Sequence, residues 1–126
     1  MTRNMSAEIH LPHNHNTNTE KMLKTKPSDD TFSIVSDTFE LISDPTRLKI
    51  LWLLSHTEEC VMNIAAAVKM SSPAVSHHLR ILKSSGLIKG RKAGKETYYT
   101  LSDTEIEEAT LVHKIVDSVF DINCKS

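Results

Sequence analysis

Residues 71–95, SSPAVSHHLRILKSSGLIKGRKAGK, decide the fold predicted for this chain. Ser71 or Ser72 is a suitable helix N-cap, and Pro73 fits a first helical turn. Gly86 then suits the end of the same helix. Between these ends, apolar residues recur at helical spacing at Val75, Leu79 and Leu82. The stretch therefore predicts an amphipathic helix whose other face carries serines, histidines and an arginine.

A basic hairpin is predicted directly after this helix. A short apolar strand, Leu87–Ile88, leads into the tip Lys89–Lys95, and a second strand follows at Thr97–Leu101. A polar helix followed at once by a basic hairpin is typical of winged helix-turn-helix proteins, in which the helix enters the major groove and the wing lies along the backbone. The alternative is a surface helix beside an ordinary solvated hairpin, which leaves the agreement of caps, polar face and basic tip unexplained.

The charge of the chain is small in total but strongly polarised. A length of 126 residues indicates one domain with a tail. A formal net charge of −1 argues against an indiscriminate binder of polyanions. Six basic residues and no acid lie between Arg80 and Lys95, whereas six acids lie between Asp103 and Asp121. Because local fields steer proteins to DNA, we expect the acidic end to face away from the duplex.

Two cysteines, Cys60 and Cys124, make no disulfide framework, and no stretch resembles a signal peptide or a membrane span. The sequence therefore predicts a cytoplasmic protein without a membrane partner. It contains no glycine-rich phosphate loop, and DNA contact explains the serines and histidines of residues 71–95 better than catalysis does. An enzyme is therefore not predicted.

Composition divides the chain into three parts. Residues 1–27 are polar and rich in histidine and asparagine, which predicts a largely disordered arm. Residues 28–122 are the predicted winged-helix domain, and residues 123–126 are a tail. The elements predicted beside the recognition helix and wing are a helix from about residue 28 to Ser43, a helix opened by the Asp44 N-cap and Pro45, a turn at His56–Glu59, a short helix at Cys60–Val68, and a last helix from Ser102 or Asp103 to about Ile122.

The first and last predicted helices carry more apolar residues than a small core requires. Phe32 and Phe39 widen the apolar stripe of the first helix. The apolar set of the last helix is Ile106, Ala109, Val112, Ile115, Val116, Val119 and Phe120. A homodimer in which these two helices pack on a partner would bury both stripes, and symmetric operator half-sites require a dimer. A monomer in which both helices pack on their own core is the alternative.

With these features the chain resembles the ArsR/SmtB family of small winged-helix repressors. The resemblance runs from about Phe32 to Phe120, and its motifs are DPTRLKIL at 44–51, ECV at 59–61, SHHLRIL at 76–82 and the wing from Gly86 to Tyr99. It implies a homodimer that represses transcription by binding a double-stranded operator. It also implies an inducer, usually a metal ion, that lowers the affinity for that DNA.

The resemblance assigns DNA-binding residues to both elements. On the operator-facing side of the recognition helix these are Ser72, Ser76, His77 and Arg80. The phosphate contacts of the wing are Arg91, Lys92 and Lys95. Serine and histidine can read a base edge or bind a phosphate, whereas a lone lysine mainly supplies charge. His77 and His78 point about 100° apart on a helix, which favours DNA contact for one and packing for the other over a shared metal ion.

One candidate metal site combines Cys60 with the N-terminal arm. Many family members begin a Cys-Val-Cys pair at this position, but here Met62 replaces the second cysteine. The arm offers imidazoles rather than thiolates, at His10, His13 and His15. One thiolate with two or three imidazoles suits zinc in a tetrahedral shell, and also cobalt or nickel. The alternative is a buried, apolar Cys60 and a solvated arm.

A second candidate metal site lies on the last helix. The family's zinc sensors place an Asp-x-His pair at its start and a His-x-x-His or His-x-x-Glu pair further on. Here Glu105 replaces the first histidine, and Val116 and Val119 occupy the later positions, so the intact pattern is absent. Three residues remain on one predicted helix face, at His113, Asp117 and Asp121. With a carboxylate from the partner helix these suit zinc or manganese, and a solvated acidic face is the alternative.

Together these features predict a repressor whose operator affinity is lowered by a divalent metal ion, with zinc as the first choice. A repressor of the same fold that responds to oxidation of Cys60 is an alternative, although no resolving cysteine lies nearby in the sequence. A winged helix that binds protein instead of nucleic acid is a further alternative, and the basic wing argues against it.

Overall fold

The computed structural model describes residues 10–13, 15, 18–103 and 107–120. Within these ranges the elements are α1 (Asn18–Lys24), α2 (Asp29–Leu41), α3 (Pro45–His56), β1 (Glu59–Cys60), α4 (Val61–Val68), α5 (Ser72–Ser84), β2 (Ile88–Ala93), β3 (Glu96–Leu101) and α6 (Glu107–Ile115), which continues as a π-helical segment, Val116–Phe120. The strands form one antiparallel sheet in the order β1-β3-β2. The chain divides into two compact units, residues 1–33 and 34–126. No described helix is long and apolar enough to cross a membrane.

Helix α1 (Asn18–Lys24) lies in the first unit, within the arm that the sequence predicts to be largely disordered. Glu20 stands in its first turn, and Lys21 and Lys24 stand in its last turn. These charges oppose the partial charges at the helix ends and so stabilise the helix locally. None of its residues is buried. Local charges and helix propensity, and not burial in a core, therefore account for α1.

The junction between α2 and α3 confirms the predicted capping. The Oδ2 atom of Asp44 accepts a hydrogen bond from the backbone N–H of Arg47 at 3.0 Å, and Pro45 occupies the first turn of α3. Helix α2 ends at Leu41 instead of Ser43, which is within the usual variation of helix ends. Helix α3 then buries Ile50, Leu51 and Leu54.

Helices α4 and α5 form the helix-turn-helix. Lys69 ends α4 in a left-handed conformation with φ 59°. Of the two serines that fit the N-cap of α5, it is Ser71 that occupies this position, and its Oγ accepts a hydrogen bond from the backbone N–H of Ala74 at 3.2 Å. The predicted apolar stripe is confirmed, since Val75, Leu79 and Leu82 are all buried. Gly86, with φ 81°, follows the helix as predicted.

The sheet contains a strand that the sequence did not predict. Glu59–Cys60, predicted as the end of a turn and the start of a helix, instead form β1 and pair with Tyr99 and Tyr98 of β3. Helix α4 consequently begins at Val61, with Cys60 as its N-cap residue. A two-residue strand is too short to show an alternating pattern, so the sequence holds no local signal for it.

The wing strands also extend further than predicted. Strand β2 continues to Ala93, so that most of the basic residues predicted in a loop tip lie within a paired strand. Only Gly94 and Lys95 form the turn, and Gly94 has φ 64°. Because such a conformation is strained for most residues, the glycine permits this tight connection. The wing is therefore a regular hairpin almost to its end.

The core of the second unit is formed by buried aliphatic side chains, from Ile42 directly after α2 to Val116 of the π-helical segment. They are Ile42, Ile50, Leu51, Leu54, Ile64, Ala65, Val75, Leu79, Leu82, Leu87, Ile88, Leu101, Val112 and Val116. Burial of each large aliphatic side chain contributes about 1.5–3 kcal/mol relative to exposure. Three of these side chains belong to α5, so the recognition helix is fixed on the domain by its apolar face.

The last helix differs from its prediction in shape and in burial. Its described part begins at Glu107, and at Val116 it changes from α-helical to π-helical geometry. Ala109, Val112 and Val116 are buried, whereas Val119 is 53% exposed. Some residues of the predicted last helix and tail lie outside the described residues. They are Ile106, Asp121, Ile122, and residues 123–126 with Cys124.

Candidate nucleic-acid interface and sensing residues

Helix α5 carries a polar surface beside its buried stripe. His77 and Arg80 are exposed, and Ser72 and Ser76 are half-buried. All four residues predicted to face the operator therefore lie on α5 outside its buried positions. Because no acidic residue lies on α5, its exposed side combines hydrogen-bonding groups with positive charge. Such a surface can approach a phosphate backbone and reach base edges.

His78 is held by the protein, unlike its neighbour His77. Its Nδ1 accepts a hydrogen bond from Nε of Arg47 at 3.2 Å, and Nη1 of the same arginine donates to the Leu41 carbonyl at 2.9 Å. A ring nitrogen that accepts carries no proton, so the proton of the neutral His78 ring is on Nε2. Arg47 thus joins the end of α2 and the first turn of α3 to the recognition helix.

The three residues predicted as phosphate contacts of the wing differ in their surroundings. Arg91 donates to both carboxylate oxygens of Glu58, from Nη2 at 2.7 Å and from Nε at 3.1 Å. Its guanidinium carbon lies 5.4 Å from the centroid of the Tyr98 ring. Lys92 and Lys95 are exposed, and none of the ion pairs found in the described ranges includes either of them.

Sequence reasoning missed Glu58, because the two partners of this ion pair are 33 residues apart. The hydrogen bond with Arg91 lowers the pKa of the Glu58 carboxyl below its usual value. The same hydrogen bond raises the pKa of Arg91. Both groups are therefore charged and paired near neutral pH. A fourth basic residue of the wing, Lys89, pairs with Asp103 at 3.3 Å.

Cys60 lies where β1 meets α4. It is half-buried and free, and its backbone N–H donates to Oε1 of Glu59 at 3.2 Å. That carboxylate oxygen also accepts a hydrogen bond from Nδ2 of Asn63 at 2.7 Å. Met62, which occupies the position of the family's second cysteine, is 69% exposed and brings no thiolate. Cys60 is thus the sole thiol donor that this turn offers.

The histidines of the first candidate metal site lie in the other unit of the chain. His10, His13 and His15 are all exposed. The rings of His13 and His15 stack with centroids 5.5 Å apart and an interplanar angle of 5°. In the part of the chain that the structure describes, no group of three or more His, Cys, Asp or Glu side chains is arranged to hold a metal ion. A site formed by these imidazoles and Cys60 therefore stays a prediction.

His113 of α6 is the best-oriented residue of the second candidate site. Its Nε2 lies 2.9 Å from the carbonyl oxygen of Ser102. Because a carbonyl oxygen can only accept, Nε2 must carry the proton, and in the neutral ring Nδ1 keeps a free lone pair. Histidines that bind metals commonly donate their second nitrogen to a carbonyl in this way. The donor chemistry of His113 therefore fits a metal ion bound through Nδ1.

Asp117, the other described member of the second site, lies beyond the α-helical part of α6. Asp117 is exposed and lies in the π-helical segment, whose hydrogen bonds span five residues instead of four. The predicted alignment of His113, Asp117 and Asp121 at i, i+4 and i+8 assumes a continuous α-helix, and it stays a prediction. Asp121 lies outside the described residues. Of the two described members of this site, His113 is the one whose ring has an orienting hydrogen bond to a backbone carbonyl.

Large apolar side chains stay exposed on the helices predicted to form a dimer. Phe32 and Phe39 of α2 are 52% and 49% exposed, and Val119 shows a similar value. A cavity of about 340 Å³ also opens between α3 and Phe120, with Leu48 and Trp52 among its lining residues. Exposed apolar side chains of this size commonly mark a protein interface.

Comparisons with known proteins agree with this architecture. Residues 44–89 match the family model "Bacterial regulatory protein, arsR family". The Staphylococcus aureus cadmium resistance transcriptional regulatory protein CadC homolog is 38% identical over 111 residues, which cover 86% of this chain and 87% of that protein. The Synechocystis transcriptional repressor SmtB homolog is 43% identical over 72 residues, which cover 57% of this chain and 54% of that protein.

Among solved structures, a homodimeric winged helix-turn-helix DNA-binding domain of Mycobacterium bovis, Mb0332, is similar with a TM-score of 0.58. It is 30% identical, and the match covers 75% of this chain and 91% of that domain. The relatives are DNA-binding transcriptional regulators and not enzymes. The capped helices, the basic hairpin and these matches agree, and this chain belongs to the ArsR/SmtB family of winged helix-turn-helix transcriptional regulators.

Proposed function

We propose that this protein is a homodimeric repressor that binds an operator through α5 and the wing, and that a divalent metal ion lowers its operator affinity. The main support for DNA binding is that polar and basic side chains are exposed both on α5 and on the β2–β3 hairpin. Arg80 supplies charge on the helix, and Lys92 and Lys95 supply it on the hairpin. Phosphate contacts from the hairpin would set the register in which α5 reads base edges.

The homodimer is supported by the apolar side chains that one protomer leaves exposed. Phe39 on α2 and Val119 in the π-helical segment after α6 are each about half exposed. Packing these helices on a second copy would remove their apolar surface from water, at about 25 cal/mol per Å². A two-fold dimer would also present two α5 helices to successive major grooves of a symmetric operator.

The metal response is supported by donor chemistry and by the names of relatives. Similar proteins include one named for cadmium resistance and an Escherichia coli arsenical resistance operon repressor. In this chain Cys60 and the imidazoles of His10, His13 and His15 form a set that suits zinc. His113, whose Nδ1 would offer a lone pair to an ion while Nε2 donates to the Ser102 carbonyl, is the centre of the second candidate site.

When bound, the metal ion would connect ligand side chains that belong to separate segments of the chain. Cys60 would contribute a thiolate at the start of α4, and histidines would contribute neutral imidazoles, so both kinds of group must lose protons. The link lowers operator affinity only if the ion binds more tightly to a dimer geometry in which the two α5 helices no longer match successive grooves. A coupling of about 1–3 kcal/mol is usual for such a response.

The test is fluorescence anisotropy of metal-free protein on a duplex selected from a random library, titrated with zinc, cadmium and cobalt. Three variants locate the sensor: Cys60→Ser, the combined replacement of His10, His13 and His15 by alanine, and His113→Gln. Glutamine keeps an N–H donor for the Ser102 carbonyl but removes Nδ1, so this variant separates ligation from structure.

We expect zinc to release the duplex from the wild-type protein. If Cys60→Ser and the triple histidine variant abolish release, the arm and Cys60 form the sensor. If His113→Gln alone abolishes release, the sensor lies on α6. Release by peroxide and by no metal would contradict the metal response and favour thiol oxidation at Cys60, which the structure leaves half-buried and free.

A further inference from the structure

We propose that Glu58 is a positioning residue for Arg91 of the wing. Glu58 holds Arg91 in an intramolecular ion pair, and this pair must break before Arg91 can contact a DNA phosphate. This inference rests on the proposed DNA-binding function and deepens it. Under this proposal, the positive charge that the wing can present to DNA depends on Glu58 in the loop before β1, as well as on the basic residues of the hairpin.

The contact is more specific than a chance meeting of two surface charges. Both oxygens of Glu58 accept hydrogen bonds from Arg91, at 2.7 Å and 3.1 Å, in the bidentate arrangement that suits a guanidinium. The Arg91 guanidinium also lies 5.4 Å from the Tyr98 ring centroid, within the range of a cation–π contact. Two independent contacts thus define where the arginine points.

The sheet holds both partners in place. Cys60 pairs with Tyr98 from one side, and Arg91 pairs with Tyr98 from the other, so these three residues form one row across β1, β3 and β2. Residues directly opposite each other on neighbouring strands point to the same face of the sheet. Glu58 precedes β1 directly, and the pairing of Glu59 with Tyr99 fixes the backbone beside it. The missed strand β1 is therefore what brings the carboxylate to the wing.

The ion pair has a consequence for phosphate binding. If Arg91 turns to a phosphate, the Glu58 carboxylate loses its partner and stays close to the negatively charged backbone. Both effects oppose the exchange, whereas Lys92 and Lys95 can contact phosphates without breaking an ion pair of the described chain. Because phosphate contacts carry no sequence information, Glu58 lowers affinity for every duplex to a similar extent.

A double-mutant cycle tests the proposal. Dissociation constants of wild type, Glu58→Gln, Arg91→Gln and the double variant are measured on the selected duplex and on a random duplex at several salt concentrations. Glutamine is close in shape to glutamate but carries no charge. Glu96→Gln is the matched control, because it also removes a carboxylate from the wing, at an exposed position outside the Arg91 ion pair.

We expect Glu58→Gln to tighten binding to both duplexes by about 3- to 10-fold near 0.1 M salt, and to steepen the salt dependence by at most about one phosphate contact. In the Arg91→Gln background, the same substitution has no more effect than Glu96→Gln. That dependence on Arg91 separates a positioning role from a general loss of negative charge.

Three results would overturn the proposal. One is unchanged or weaker binding by Glu58→Gln, and another is an equal gain in the presence and absence of Arg91. In both cases wild-type binding to the selected duplex persists, so the proposed function survives while the role of Glu58 does not. The third is failure of every variant to bind any duplex, which would remove the proposed function and this inference together.

Discussion

Helix α5 and the wing both carry positive charge, but the protein prepares the two in different ways. Helix α5 is anchored by three buried side chains, and none of the ion pairs among the described residues includes its exposed Arg80. On the wing, Arg91 and Lys89 are each paired with an acid from elsewhere in the chain. The orientation of α5 is thus set by packing, and the charge of the wing is set by ion pairs.

This difference separates the two properties that a DNA-binding domain needs. Packing of apolar side chains is not screened by salt as an ion pair is, so the exposed surface of α5 keeps its orientation where the ion pairs of the wing weaken. Exposed ion pairs are screened by salt, so DNA phosphates can compete for the paired basic groups of the wing. The comparison predicts large structural effects for substitutions under α5, and smaller effects, seen mainly in DNA binding, for substitutions on the wing.

The largest effect is expected from Leu79→Ala beneath α5. Leu79 is 2% exposed, and truncation leaves a cavity in the core, so we expect the free energy of unfolding to fall by about 2–5 kcal/mol. Urea denaturation followed by circular dichroism measures the change. His77→Ala on the same helix is the control, and its stability should stay within about 0.5 kcal/mol of wild type. Equal stability of both variants would show that packing does not hold α5.

A smaller loss of stability is expected from Arg47→Ala, which removes the donors to the Leu41 carbonyl and to His78. These hydrogen bonds are partly buried, so we expect a loss of about 1–3 kcal/mol in the free energy of unfolding. Arg47→Lys should restore little of it, because a lysine lacks the planar fork that reaches both acceptors. Full recovery by lysine in denaturation experiments would assign the role to charge alone. Lys49→Ala, exposed on the same helix, is the matched control.

The two surfaces should also differ in how they affect specificity. Ser76→Ala should reduce the preference for the selected duplex over a random duplex, because a base-edge contact is lost, at a cost of about 1–3 kcal/mol. Arg91→Ala should weaken binding to both duplexes by the same factor and reduce the salt slope by about one phosphate contact. Competition anisotropy at two salt concentrations distinguishes the two patterns. Wild-type affinity and salt slope in both variants would contradict the assignment of these residues.

The smallest effect is expected from Asp103→Asn, which breaks the ion pair with Lys89. The two side chains are largely exposed and 3.3 Å apart, so the change in the free energy of unfolding should stay within about 1 kcal/mol. Thermal denaturation at low and high salt measures it, with Glu96→Gln as a control. A larger loss would show that the ion pairs of the wing are structural and would remove the contrast with α5.

The parts of the fold that could be predicted are those in which the signal is local. Ser71 and Asp44 cap their helices through hydrogen bonds three residues along the chain, and the stripe of α5 repeats every three or four residues. Strand β1 could not be predicted, because its two residues gain their structure only by pairing with β3. The change to π-helical geometry at Val116 has no local sequence signal that we recognise.

The same distinction between local and distant signals applies to the candidate DNA-binding and metal-binding residues. The exposed residues of α5 follow from the position of its buried stripe, so their placement could be read from periodicity. The Glu58–Arg91 pair joins residues 33 positions apart, and the His113–Ser102 hydrogen bond spans 11 positions. Such contacts depend on how the elements pack and leave no pattern in the sequence. The metal ligands are harder still, because the donors predicted for one ion belong to separate units of the chain.

The most direct test is the affinity of metal-free wild-type protein for the selected duplex and for a random duplex, with and without one zinc ion per protomer. We expect the selected duplex to bind at least about 10³-fold more tightly than the random duplex. We also expect zinc to weaken that binding by about 5- to 150-fold. Equal affinity for the two duplexes would contradict sequence-specific binding by α5. Specific binding that no metal ion changes would contradict the metal response.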